Sequence, residues 1–376
     1  MSNPPNSPVV PRVALVHDFL HTFGGAERVL KTLTEMFPAA PVYTLLASPQ
    51  VVASHFPNST IHTSPLQRSP LRKWPHLLIA AMPQAIETFN LSTYNVVISS
   101  SGAFSHGVLT GPETRHICYC HSPMRYAWDW HREYLDDRGI GQGALRFAAE
   151  SVMTRLRTWD QVSARRVDTW VANSQTVQER LSRYYHVESE VIYPPVDTDF
   201  FNSNTTPIVD NQPTYAVTVG RLSSYKRVEI MIQACAAAKI PLKVVGEGPD
   251  RKRLSRCAQK YAAEVSFLGR LGDTETRKIV ANARCFLFAA EDDFGITPVE
   301  ALSLGVPVLA LARGGARETV REGENGWFFT EPTAQSLEQT LRHFLSEGVA
   351  FTPAQICETA LRFSHARFTS AIHNLL

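Results

Sequence analysis

No uninterrupted apolar run in these 376 residues is long enough to span a bilayer, which excludes a chain threaded through a membrane by a helix. The opening MSNPPNSPVVP has no charged stretch leading into an apolar one, so it reads as a short disordered leader and not a secretory signal. A strong charge imbalance is also missing: the net charge is +2, which gives no case for nucleic acid as the main partner. Cysteine is sparse and scattered, as Cys118, Cys120, Cys235, Cys257, Cys285 and Cys357, and four of the six fall in apolar or helical patterns where a free thiol acts as a small hydrophobe. Cys118 and Cys120 alternate along one strand without a second Cys/His pair at matching spacing, which argues against zinc. No repeat of solenoid period is present. What remains is 44% hydrophobic and 19% charged, the composition of a soluble globular chain long enough for two domains with separate cores. The expected location is the cytoplasm, with peripheral contact to the inner face of the plasma membrane.

One absence is local. From Met36 to Ile86 there is no acidic residue, and inside that span lies SPLQRSPLRKWPHLLIAAMP. Arg68, Arg72, Lys73, Trp74 and His76 beside Leu77, Leu78 and Ile79 suit contact with anionic lipid headgroups. A solvated helix face beside a core-facing stripe explains the same pattern.

Taken in order, the chain alternates strands and helices, the pattern of parallel sheets covered on both faces. A first strand, Val13 to His17, feeds a loop, Asp18 to Phe23, ending in Gly24 and Gly25; a helix follows with Val29, Leu30, Leu33 and Phe37 at helical spacing. Paired glycines at such a turn let the backbone approach a ligand and aim N–H groups at it, although they are also ordinary turn chemistry. Tyr94 to Ser101 reads as a buried strand running into a serine-rich loop. His116 to Cys120 is another, delivering HSPMRYAWDW at its carboxyl end with His121 first. A lone histidine is usually a bystander, but one directly after a central parallel strand, among rings and basic groups, points to a site. Ala144 to Asp168 reads as an Arg-rich helix, Thr169 to Asn173 closes the first sheet, and Ser174 caps the next helix.

YPPVD, Tyr193 to Asp197, is a Pro-stiffened linker, and NSNTTPIVDNQPT is the polar edge of the second half. The strands expected there are Tyr215 to Val219, Leu242 to Val245, Val265 to Leu268, Cys285 to Phe288 and Val308 to Leu311, with a final helix from Pro353 to Leu376. The expected domains are residues 1–193, 194–352, and a terminal helix, 353–376.

The most informative stretch is CFLFAAEDDFGITPVEALSLG, Cys285 to Gly305. A buried strand gives way to Glu291, Asp292 and Asp293, then Phe294 and Gly295, and a helix opens near Thr297 with Glu300 in its early turns. Acids where a strand ends and a helix begins are either a cluster favouring the helix dipole or part of a ligand site.

Read with GRLSSYK (Gly220 to Lys226), VVGEGP (Val244 to Pro249) and FLGRL (Phe267 to Leu271), the stretch resembles glycosyltransferase family 4 over nearly the whole chain. HSPMRYAWDW is similar to the bacterial polysaccharide mannosyltransferases within it. The resemblance implies a GT-B fold, α/β, of two facing Rossmann-like domains with an interdomain cleft, and a final helix that returns to the first domain. It implies a retaining transferase that uses a nucleotide-sugar donor, most simply GDP-mannose, and a lipid-linked glycan acceptor. No cofactor and no metal are expected, since no Asp-x-Asp pattern sits where a metal would be needed. Arg221 and Lys226 are expected on the donor pyrophosphate, and Glu300 on the ribose hydroxyls, which a carboxylate accepts from in pairs. Asp292 is expected on the sugar hydroxyls, with Phe294, Gly295 and Ile296 offering backbone N–H groups. Gly24 and Gly25 lie across from the phosphates and His121 beside the sugar, while Gly314 and Gly315 line the cleft. The family pattern has two glutamates with seven residues between them. Here Glu300 fits the second, but Asp292 holds the first position, and Glu291 is out of register by one. A UDP-sugar donor, or a nucleotide-binding protein of this fold that transfers nothing, are the alternatives.

Overall fold

The computed structural model describes residues 11–202 and 214–376. The leader and most of the polar segment after the linker lie outside the described residues. The chain divides into two compact units, one up to Ile192 and one from Tyr193 onward.

The first unit is built on seven parallel strands: β1 (Val13–Leu20), β2 (Val42–Ala47), β3 (Ile61–Thr63), β4 (Val96–Ser101), β5 (Arg115–Cys120), β6 (Thr169–Ala172) and β7 (Glu190–Val191). Their order is β3-β2-β1-β4-β5-β6-β7, so the chain reverses its direction of travel across the sheet between β1 and β4. All six residues of β4 are buried, as expected of a strand covered on both faces. β1 runs three residues beyond the expected His17, because Phe19 and Leu20 still pair with Leu46 and Ala47 of β2. Cys118 and Cys120 pack with Ala164, Trp170, Val177 and Leu181 as small apolar side chains.

The second unit carries six parallel strands: β8 (Ala216–Val219), β9 (Leu242–Val245), β10 (Val265–Gly269), β11 (Cys285–Phe288), β12 (Val308–Leu311) and β13 (Gly326–Phe329). Their order is β10-β9-β8-β11-β12-β13, with the reversal between β8 and β11. The period of two divides the core in half. Ala216, Leu242, Val244, Cys285, Leu287, Leu309 and Leu311 face the helices Val228–Ala238 and Ala334–Glu347. Val217, Val245, Phe286, Phe288, Val308 and Ala310 face the other way, toward Ile296–Ser303 and Pro353–Ala360.

Two expected helices are different in kind. The terminal segment is not continuous: Pro353–Ala360 ends in a 3-10 turn, Leu361–Phe363, and Ser364 then caps His365–His373 by accepting from the Arg367 N–H. A serine with extended backbone stops one helix and starts the next. The basic stretch after Thr63 is a chain of 3-10 turns, Pro65–Arg68, Pro70–Lys73, Pro75–Leu77 and Ile79–Ala81. Proline opens each of the first three, and its missing N–H prevents a continuous helix face from forming.

Candidate active site

In open parallel sheets the loops part where the strand order reverses, and each unit has one such crevice at its strand carboxyl ends.

In the second unit it lies between β8 and β11. After Val219 the chain runs through Gly220, Arg221 and Leu222 into a 3-10 turn, Ser224–Lys226. Backbone bonds hold this loop to its neighbour: the Gly220 N–H donates to Val245 O (3.0 Å), Leu222 to Glu247 O (3.0 Å) and Asp250 to Leu222 O (3.1 Å). The glycines of VVGEGP make that approach possible. A Cβ on Gly246 would stand 1.9 Å from Gly220 O, and one on Gly248 2.2 Å from Leu222 O. Lys226 reaches across the reversal and donates from Nζ to Asp292 Oδ2, with Nζ also 5.7 Å from the centre of the Phe288 ring. Arg227, in left-handed backbone at φ 50°, donates to Ala289 O at 3.2 Å. Arg221 is exposed, and its guanidinium forms no bond among the described residues.

The Asp292 backbone is fixed from the β12 side. Its carbonyl accepts from the Gly315 N–H at 3.0 Å, and a Cβ on Gly314 would stand 2.4 Å from the same oxygen. Gly295, at φ 85°, turns the chain into the helix Ile296–Ser303, whose N-terminus has no side-chain cap. Such an end presents orphan N–H groups and the positive end of a helix dipole. Glu300 is half-buried one turn further in. The Phe294 side chain is not in the crevice: it is buried against Tyr193 and Phe363, leaving only its backbone as a contact. Gly220, Arg221, Lys226, Phe288 and Ala290 line one shallow hollow. The loop of Arg221 and Lys226 and the acid-bearing loop are thus neighbours.

In the first unit the crevice lies between β1 and β4, and it holds more than the sequence showed. Gly24 caps the helix Gly25–Met36, but its N–H is taken by Glu27 Oε2 at 2.8 Å and is not free for a ligand. His121 follows β5, and its Nε2 stands 2.7 Å from Ser100 Oγ. His17 Nδ1 is 3.1 Å from both the carbonyl oxygen and Oγ of Ser100, and its Nε2 is 3.7 Å from Glu27 Oε1. Asp18 holds the loop after β4, accepting N–H bonds from Gly102 (2.6 Å), Phe104 (2.8 Å) and Ser105 (2.6 Å). Ser99 and Ser101, facing the other side, bond His116 (2.8 Å) and His106 (3.2 Å). Burial, with His17 nearby, pushes His121 down to about 3. Burial alone dominates for His106 and His116, each near 4, so these rings are neutral at neutral pH.

His17, Asp18, Glu27 and Ser100 escaped the sequence reading. The available signal was VHD ending β1 opposite SSSG ending β4; the pairing of the two strands gives it meaning.

Two parallel-sheet units in one chain, each with a polar crevice at its strand ends, define the GT-B class. Residues 23–200 match the family model "Glycosyltransferase Family 4" and residues 202–362 match "Glycosyl transferases group 1". The chain belongs to glycosyltransferase family 4. Among curated relatives it is 26% identical to the alpha-1,3/1,6-mannosyltransferase ALG2 of Rhizomucor pusillus, over 38% of this chain and 41% of that one. It is 34% identical to a GDP-mannose-dependent alpha-mannosyltransferase of Corynebacterium glutamicum, over 29% of this chain and 25% of that one. The matches thus span well under half the length of these two relatives. Among solved structures, HepE of Anabaena in complex with UDP superposes with a TM-score of 0.72 at 19% identity, covering 97% of this chain and 99% of that one. Sucrose-phosphate synthase of Thermosynechococcus elongatus gives 0.71 at 16%, covering 96% and 98%. These two likenesses are of fold.

Proposed function

We propose that this glycosyltransferase transfers mannose from GDP-mannose to a lipid-linked oligosaccharide, with retention of anomeric configuration, in the assembly of a bacterial surface polysaccharide. The observation that carries the reading is the pairing of Lys226 with Asp292 beside Arg221, an exposed cation whose guanidinium forms no bond among the described residues. Departure of a nucleoside diphosphate builds negative charge on its β-phosphate, and two fixed cations beside an uncapped helix N-terminus offset that charge. Donor entry would separate Lys226 from Asp292, freeing the amine for phosphate and the carboxylate for sugar hydroxyls. Glu300 would take the ribose hydroxyls, and the departing phosphate would accept the acceptor's proton on the same face. The reading requires no metal. Mannose is favoured by the two mannosyltransferase relatives.

The acceptor side of the proposal includes an anionic membrane surface. Leu71, Trp74 and Leu77 are 39%, 52% and 58% exposed, among exposed Arg68, Arg72 and Lys73. No helix among the described residues is long and apolar enough to cross a membrane, so contact of this kind would be peripheral.

The test is a panel of radiolabelled GDP-mannose and UDP-sugars, each incubated with the purified protein and a membrane extract. Label entering lipid from GDP-mannose is the expected result. Transfer from a UDP-sugar alone would replace the donor, and binding without transfer from any donor would overturn the enzymatic reading.

A further inference from the structure

We propose that His17 and Ser100 are positioning residues that hold His121 in the tautomer protonated on Nδ1, making it a neutral hydrogen-bond donor toward a substrate oxygen. The inference rests on the reading of His121 as a site residue.

Three contacts decide where the protons lie. His17 Nδ1 is 3.1 Å from the Ser100 carbonyl oxygen, which only accepts. That ring nitrogen therefore carries a proton; without it, two lone pairs would face each other in a buried place. The same N–H is 3.1 Å from Ser100 Oγ, which accepts a share of it. The Ser100 hydroxyl proton is then free to donate to His121 Nε2 at 2.7 Å. A nitrogen that accepts has no proton, so the neutral His121 ring carries its own on Nδ1.

Run in the opposite direction, the chain fails at one point only: His17 Nδ1 would accept from Ser100 Oγ while confronting the carbonyl. The backbone oxygen breaks the symmetry of the relay. On the far side of His17, Nε2 stands 3.7 Å from Glu27 Oε1, beyond hydrogen-bond distance, and Glu27 Oε2 accepts the Gly24 N–H. Burial and the neighbouring His17 keep His121 neutral, consistent with a donor that does not act as a base. His121 Nδ1 forms no hydrogen bond among the described residues, so it is the polar group the ring has left to offer. The acceptor would be a sugar hydroxyl or a phosphate oxygen.

The experiment is long-range proton–nitrogen NMR on histidine-labelled full-length protein, with His121 assigned through His121→Gln. The expected spectrum has a protonated Nδ1 and a bare Nε2 at His121. Ser100→Ala removes the hydroxyl but leaves the carbonyl that holds His17, and His17→Phe removes the donor while keeping a buried ring. Both are expected to give mixed tautomers and about a tenfold fall in kcat, the size of one net hydrogen bond, with the donor KM little changed. A proton on Nε2 in the parent, or an unchanged tautomer in both variants, overturns the proposal. Unimpaired turnover in His121→Gln would instead remove His121 from the site, an outcome distinct from the tautomer measurement.

Discussion

Whether Asp292 or Glu291 takes the first acidic position is a question of one residue. Register favours Asp292, because it keeps the family spacing to Glu300 at the cost of one methylene, about 1.5 Å of reach. A slip of one residue at a strand end turns the side chain to the opposite face. The Asp292 carboxylate meets Lys226, and its backbone is clamped by Gly315. The expected outcome is that Asp292→Asn damages turnover far more than Glu291→Gln, while Asp292→Glu stays active. Steady-state kinetics decide it, and a crippled Glu291→Gln would move the site by one residue. Arg221→Ala and Lys226→Ala should each slow transfer by roughly two orders of magnitude or more, as loss of a charge-stabilising contact does. Normal circular dichroism is expected for both, since they lie on a loop.

At the scale of elements, the close contact between the β8 and β9 loops depends on glycine. Gly246 sits at φ 130° with no room for a Cβ against Gly220 O. Gly246→Ala is therefore expected to cost about 1–3 kcal/mol of stability by overpacking and to reduce donor binding with it. Gly141→Ala, where nothing lies within 4 Å of the added carbon, is the matched control and should stay within about 0.5 kcal/mol. A thermal melt comparing the two is sufficient. The basic 3-10 turns allow a separate test. Replacing Arg68, Arg72 and Lys73 together should weaken binding to anionic vesicles by about 1 kcal/mol per charge, with activity on a soluble acceptor analogue unchanged. Equal vesicle binding by parent and variant would reduce the patch to a solvated surface.

For the whole molecule, buried histidines set the response to acid. His106 and His116 near 4 and His121 near 3 all lie below their ordinary 6.5. As pH falls below about 6.5 the unfolded chain takes up protons that the folded chain refuses, so stability present above 6.5 is lost toward pH 4. Asp160 works in the opposite direction: burial raises its carboxyl to about 7, so in the same window the folded state holds a proton the unfolded state has released. Three groups against one leave a net loss of stability as the pH falls through this window. Urea midpoints measured from pH 7 to pH 4.5 should fall steadily. A flat profile would mean that the histidines are protonated in the folded protein.

Much of this protein is legible in the sequence because it is local. The strand β11, the acids after it, Gly295 and the helix that follows form one continuous stretch, and their periods and turn residues declare themselves without any partner. The short strands β2, β3, β7 and β13 are less visible, since a strand of two to six residues takes its definition from the neighbours it pairs with. The same holds for the proline-punctuated turns, whose basic and apolar residues resemble a helix face until the missing N–H groups are counted. The side-chain chemistry is furthest from reach. Lys226 and Asp292 are 66 residues apart, and His17 and Ser100 are 83 apart. Residue types suggested that a lysine and an acid would share a site. Only the reversal of strand order between β8 and β11 brought Lys226 to Asp292, and only the pairing of β1 with β4 placed a carbonyl oxygen where it meets a histidine.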